Sequence, residues 1–230
     1  MVCINFVMQY LFQFDMLKHY MKSNISLLAV VSVMLFSLPF HEFAHAYVAN
    51  FLGDSTAKER GRLTLNPFKH LNLLGVLSIF LFGFGWANPV PINIYNFKHP
   101  KRHMAYVAVA GPISNIVLAI FAVLFTRMFG FVFLNIKSPV FLDFFRYFFR
   151  FFITINVGLF VFNLIPIPPL DGSRLFMYFL PDDLYLFVMR YEIIGTFFIM
   201  FLLYKGYLHK TIISLTLAIL GALSNLWFLF

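Results

Sequence analysis

A chain of 230 residues with 61% hydrophobic and only 11% charged residues, and a mean hydropathy of +0.85, is not a soluble globular domain; it reads as an integral membrane protein. The formal net charge of +8 would suggest nucleic-acid binding in a soluble protein, but the basic residues fall in short links between apolar runs, where they set topology, and no nucleic-acid partner is expected. The single cysteine, Cys3, excludes an internal disulfide and a thiolate metal site, which leaves histidine and carboxylate as ligands.

Residues 1–24 are apolar but carry Gln9, Gln13, Asp15, Lys18 and His19, and they lack a basic leader and a small-residue cleavage pattern. An interfacial segment is the preferred reading; a weak extra span, or an extension ahead of a start near Met21, are the alternatives. From residue 25 onward the chain reads as one transmembrane domain to residue 230, with no internal repeat and no stretch polar enough for an appended soluble domain. Residues 25–52 are long and apolar enough to cross a membrane, and they contain His41-Glu42-x-x-His45. On a helix, positions i and i+4 share a face, so both imidazoles can grip one metal ion while Glu42 reaches water beside it. A structural hydrogen-bond cluster is the rival reading, but ionisable groups in lipid are costly and usually functional.

Residues 53–103 pose a topological problem. The link after the first span carries Lys58, Arg60, Arg62 and Lys69, and the link before the next carries Lys98, Lys101 and Arg102, so both belong on the cytoplasmic side. A full crossing by the Gly-interrupted run 70–86 would separate them; a re-entrant, membrane-embedded element would not. In 86–97, Pro89 and Pro91 block helix and predict a strand or hairpin-like loop, read either as a rigid connector or as an edge, including Asn88, that pairs with an extended substrate.

Core helices follow at 104–127 and 145–172, with their apolar spans at 104–125 and 147–165, and C-terminal helices at 184–204 and 211–230. Arg190 and Glu192 stand near the start of 184–204, where they can pair or snorkel. The expected fold is an all-α polytopic membrane protein: a three-helix catalytic core, a membrane-embedded re-entrant or β element, and additional C-terminal transmembrane helices.

Catalytic zinc typically takes three protein ligands and keeps an open position. Histidines His19, His70, His99, His103 and His209 lie at segment ends. Asp171 follows a helix broken by Pro166, Pro168 and Pro169 and precedes Gly172; it is read either as the third ligand or as a turn residue capping the helix that starts near Ser173. A metal shared by His41, His45 and Asp171 needs the first and third core helices parallel. With 104–125 running the other way between them, residues 53–103 must begin and end on one side, as the basic links independently require. That agreement favours Asp171 as a ligand. Asn115 and Asn163 are each read either as bonding neighbouring backbone or as orienting substrate and a developing oxyanion.

These segments resemble the site-2 protease family of intramembrane zinc metalloproteases: Phe40–Ala46 its zinc helix, Gly111–Asn115 its middle core helix, and Asn163–Gly172 its Asp-Gly motif. Gly61–Pro67, Trp86–Pro91 and Arg190–Glu192 resemble its compact prokaryotic branch. The resemblance implies one Zn²⁺ held by His41, His45 and Asp171, with Glu42 as catalytic base. Asn72 departs from a pattern that often has Asp there, and no catalytic role is assigned to that loop. No PDZ or CBS domain is expected, since no link or tail is long enough.

The function expected is hydrolysis of peptide bonds in or beside transmembrane segments of protein or peptide substrates, in the plasma or inner membrane with the active site toward the cytoplasm. A metal-binding or transport protein using the same His and Asp is the alternative, although repeats and several intramembrane carboxylates are missing. A CAAX-type zinc protease would instead need Glu59 or Glu192 as third ligand.

Overall fold

The computed structural model describes residues 24–70 and 88–224, so the segment 1–23, the run 71–87 on which Asn72 and most of the expected re-entrant element fall, and residues 225–230 lie outside the described residues. Helix α1 spans Asn24–Phe51, and two single turns, α2 (Thr56–Glu59) and α3 (Pro67–His70), follow it. A 3₁₀ turn at Ile94–Asn96 leads into α4 (Pro100–Leu134), and α5 runs over Pro139–Asn163. Both long helices begin with proline in the first turn, where the missing N–H has no intrahelical partner to lose. Short helices complete the chain: α6 (Asp171–Met177), α7 (Asp182–Arg190), α8 (Glu192–Tyr204) and α9 (His209–Ser224).

Helices α1, α4 and α5 are each long and apolar enough to cross a membrane. They pack on one another as a trio, with α6 against α4 and α9 against α5. The protein is an all-α polytopic membrane protein. Its packing combines a core around Phe151, Phe162 and Leu159 with alanines 29, 46, 49, 108, 119 and 122 buried at close approaches, while Phe36, Phe121 and Phe131 are more than half exposed. In lipid the apolar effect does not drive helices together, so close van der Waals approach through small side chains takes its place.

One expectation needs correction and another is narrowed. The segment 184–204 is not one straight span, because α7 and α8 form a pair bent by 69° at Tyr191. Helix α7 ends on Arg190 and α8 begins on Glu192, so the charges flank the break. Among the described residues there is also no strand: of the two forms expected over 86–97, strand or hairpin-like loop, 88–97 is a loop that ends in the 3₁₀ turn. Pro89 and Pro91 have no N–H for a ladder, and the Val90 N–H is taken by Glu42 Oε2 at 2.9 Å.

The link between α1 and α4 returns to the end where it started. Asp54, fully buried just past α1, accepts from the Asn93 N–H (2.7 Å), Asn96 Nδ2 (2.7 Å) and Thr56 N–H (3.1 Å). Arg62 Nη2 holds the same segment further back through the Asn88 carbonyl (2.6 Å). Helix α4 therefore runs antiparallel to α1, and α5, joined by a short link and packed on both, runs parallel to it.

Candidate metal centre

His41 and His45 lie one turn apart on α1, both buried against α4. His41 Nδ1 donates to Asn115 Oδ1 at 2.6 Å, and His45 Nδ1 donates to the Val107 carbonyl at 2.7 Å. Carbonyl oxygens only accept, so both Nδ1 atoms carry the hydrogen and both Nε2 atoms present lone pairs. Those Nε2 atoms stand 3.0 Å apart, and Asp171 Oδ2 lies 3.2 Å and 3.4 Å from them.

Three lone-pair donors turned on one another repel unless a cation lies among them. Asp171 Oδ2 is also a buried oxygen without a hydrogen bond, which points the same way. Ligands about 2.0–2.2 Å from a tetrahedral zinc stand roughly 3.3 Å apart, close to these spacings, and two imidazoles with a carboxylate are a hydrolytic-zinc donor set. The residues present fit a divalent metal. His41, His45 and Asp171 are the group among the described residues that could hold one.

Each ligand is placed by its element. Gly111 lets α4 come close to α1, since a Cβ there would collide with both imidazoles. Asp171 opens α6 directly after the proline-broken loop, and Leu170 rather than Asp171 occupies the cap position. The cap is not made by the Asp171 side chain, which turns to the histidines instead. Gly172 fits beneath the Leu164 and Ile165 carbonyls, where a Cβ would clash, so the Asp-Gly pair sets the loop against the end of α5.

Glu42 shares a cavity of about 400 Å³ with the three ligands. Pro89, Val90 and Asn163 line it, whereas Asn88, Pro91 and Asn115 are not part of its wall. Asn115 is fully buried behind His41: its Oδ1 accepts from His41 and its Nδ2 donates to Asn156 Oδ1 (2.9 Å). Its amide is thus bonded to side chains of two neighbouring helices. Asn163 Nδ2 donates to the Leu159 carbonyl at 3.0 Å. Asn88 gives its N–H to the His70 carbonyl at 2.8 Å. Glu192 lines the cavity but pairs with Arg174 (2.6 Å), and Glu59 accepts from Ser55 Oγ, so neither takes the ligand place a CAAX-type site would require.

Some of the residues that shape the site escaped sequence reasoning. Asn156 and Ser37, both fully buried, extend the Asn115 contact through Asn156 Nδ2 to Ser37 Oγ at 2.8 Å. A lone Asn inside an apolar helix was the available signal for the first of them. Arg174, one turn after Asp171, was equally visible. The Val107 carbonyl and the Val90 N–H are main-chain groups that no residue type announces.

The sequence pattern of Peptidase family M50 matches residues 130–204, which include the proline-broken loop and Asp171. A Bacillus subtilis protein named as a candidate zinc metalloprotease, YwhC, is 46% identical over 149 residues, covering 64% of this chain and 66% of its own. The similarly named Rip2 of Mycolicibacterium smegmatis is 37% identical over 148 residues, and that of Mycobacterium tuberculosis H37Rv 32%, each alignment covering 62% of this chain and 54% of theirs. The chain thus spans just under two thirds of the Bacillus protein and about half of the mycobacterial ones. No solved structure matches it. Its own candidate ligand cluster lies partly outside the matched segment, on α1, and both halves meet in one site: over the segment that carries Asp171 the chain is similar to Peptidase family M50, the site-2 protease family.

Proposed function

We propose that the protein is an intramembrane zinc metalloendopeptidase that hydrolyses peptide bonds in or next to transmembrane segments of membrane proteins. The observation that carries this reading is the convergence of His41, His45 and Asp171 on one point beside Glu42, in a cavity between helices of membrane-spanning length. Relatives named for zinc metalloprotease activity support the choice of metal and reaction. The chain sits in the cell membrane as a multi-pass protein, with the cavity toward the cytoplasm, because the basic links on either side of 70–86 gather at one end of the trio.

When bound, zinc supplies a Lewis acid for the scissile carbonyl and makes water acidic enough to yield a nucleophile near neutral pH. The chain's own groups do the rest. Glu42 takes the proton of the attacking water and returns it to the leaving amine. The Val90 N–H holds Glu42 Oε2, which fixes the plane of the carboxylate and leaves Oε1 for the water. Asn115 and the Val107 carbonyl keep both imidazoles in the tautomer whose Nε2 can bind a metal. A transmembrane substrate must unwind locally to be cut, since its amides are otherwise bonded within its own helix.

Purified Glu42→Gln protein should hold one zinc per chain by elemental analysis and cleave nothing, while single-pass membrane proteins accumulate uncut in a strain that carries it. Substantial proteolysis by the purified variant would overturn the role of Glu42.

A further inference from the structure

The side chains that line the candidate metal cavity are poor in hydrogen-bond donors, and this deficit singles out one residue. An unwound transmembrane segment brings unpaired main-chain carbonyls into the site, and each needs a donor where bulk water is scarce. Pro89 and Pro169 have no N–H to offer. The Val90 N–H belongs to Glu42, and the Asn163 amide nitrogen donates to Leu159. His41 and His45 turn their N–H groups away, to Asn115 and Val107. Apart from these groups and the carboxylates, which accept, the described lining side chains are apolar, with Arg174 as the exception.

Arg174 follows Asp171 by three positions, so on α6 the two side chains stand on neighbouring parts of one face. Its guanidinium carries five N–H donors in a planar fork. Nη2 meets Glu192 Oε2 at 2.6 Å, and Nη1 rests against the Met189 sulfur. The Arg174 side chain is 14% exposed and Glu192 33%, so the pair is partly sheltered and the acid holds the cation on the cavity wall. The remaining donors are enough for one or two further acceptors.

We propose that Arg174, anchored by Glu192 across the α7–α8 break, is a substrate-binding residue that receives main-chain carbonyl oxygens of the unwound segment beside the bond to be cut. The inference rests on the peptidase reading for the nature of its ligand. Glu192 acts through Arg174 and is a positioning residue. Arg→Lys is not conservative here, because a single ammonium cannot bond Glu192 and a carbonyl in the geometry the planar fork provides.

The test uses the full chain in nanodiscs of phosphatidylethanolamine and phosphatidylglycerol, with a fluorescent single-span peptide carrying a central Asn-Pro-Gly break as probe. Binding is read by anisotropy in the Glu42→Gln background, with zinc content measured alongside. Adding Arg174→Met should weaken peptide binding about 10- to 100-fold, the loss of one or two charge-assisted hydrogen bonds, with zinc still at one per chain. Arg174→Lys and Glu192→Gln should fall between. Unchanged affinity in Arg174→Met overturns the proposal. Loss of zinc in Arg174→Met and Arg174→Lys alike also overturns it, since the pair then serves only to hold α6. Cleavage of the same peptide by the unsubstituted chain tests the peptidase separately: peptide bound but never cut counts against the peptidase and leaves Arg174 standing, whereas peptide that does not bind at all counts against both.

Discussion

Asn115 on α4 reaches His41 on α1 and is held by Asn156 on α5, which in turn bonds Ser37, back on the helix that carries His41. Hydrogen bonds of this kind between membrane helices are worth on average about 0.6 kcal/mol and at most ~1.7 kcal/mol, too little to hold the trio together. Their consequence is orientation: with Nδ1 of His41 committed, Nε2 is the lone pair that faces His45 and Asp171. Asn115→Ala should therefore leave folding nearly unchanged and weaken zinc binding about 10- to 100-fold, the usual effect of losing a ligand's outer hydrogen bond. Competition with a fluorescent zinc chelator measures this, and an unaltered zinc affinity would show that the circuit is only structural. At the same scale, Glu42 was legible because its two flanking histidines have helical spacing. The Val90 N–H that fixes it was not, because it depends on where a distant loop comes to rest.

The loop that meets Glu42 is an element held from its ends. Asp54 at one end and Arg62 at the other fasten 88–96 against α1, so the Pro89–Pro91 stretch is kept in place without strand pairing. Prolines correctly excluded helix there, but they could not say whether the extended chain would find a ladder partner. Burial works to raise the Asp54 carboxyl, yet hydrogen bonds from Thr56, Asn93 and Asn96 outweigh it and hold the group below the usual carboxylate range. A carboxylate with a depressed folded-state pKa stabilises the fold fully above its unfolded value and loses that contribution as pH falls through the lower, folded value. The anchor should thus persist through neutral and mildly acidic conditions and release only in strong acid. Asp54→Ala removes an acceptor that serves buried donors and should destabilise the segment by about 2–3 kcal/mol. Faster amide exchange at Asn93 and Val90, with the long helices unaffected, is the expected reading; unchanged protection would mean that Arg62 suffices. The break at Tyr191 belongs to this scale too: hydropathy made 184–204 long enough to span, but the charges at 190 and 192 fall at a bend that lets Glu192 meet Arg174.

At the scale of the whole molecule, α1 and α5 run parallel with α4 between them in the opposite sense, and this alone brings residue 171 back to residues 41 and 45. Single cysteines replacing Lys58 and Lys98, in a Cys3→Ser chain, should react with an impermeant maleimide from the same membrane face, and one replacing Lys137 from the opposite face. Labelling of positions 58 and 98 from different faces would break the proposed topology. The membrane class and the candidate metal residues His41, Glu42, His45 and Asp171 were legible in the sequence, because hydropathy over a span and an i, i+4 spacing are local properties that a chain carries before it folds. Only the folded chain shows that Asn115 meets His41, that a main-chain N–H meets Glu42, and that Arg174 stands in the cavity on Glu192. Each of these depends on groups far apart in the chain meeting within a few ångströms, and such meetings are fixed by how closely small residues let the helices approach.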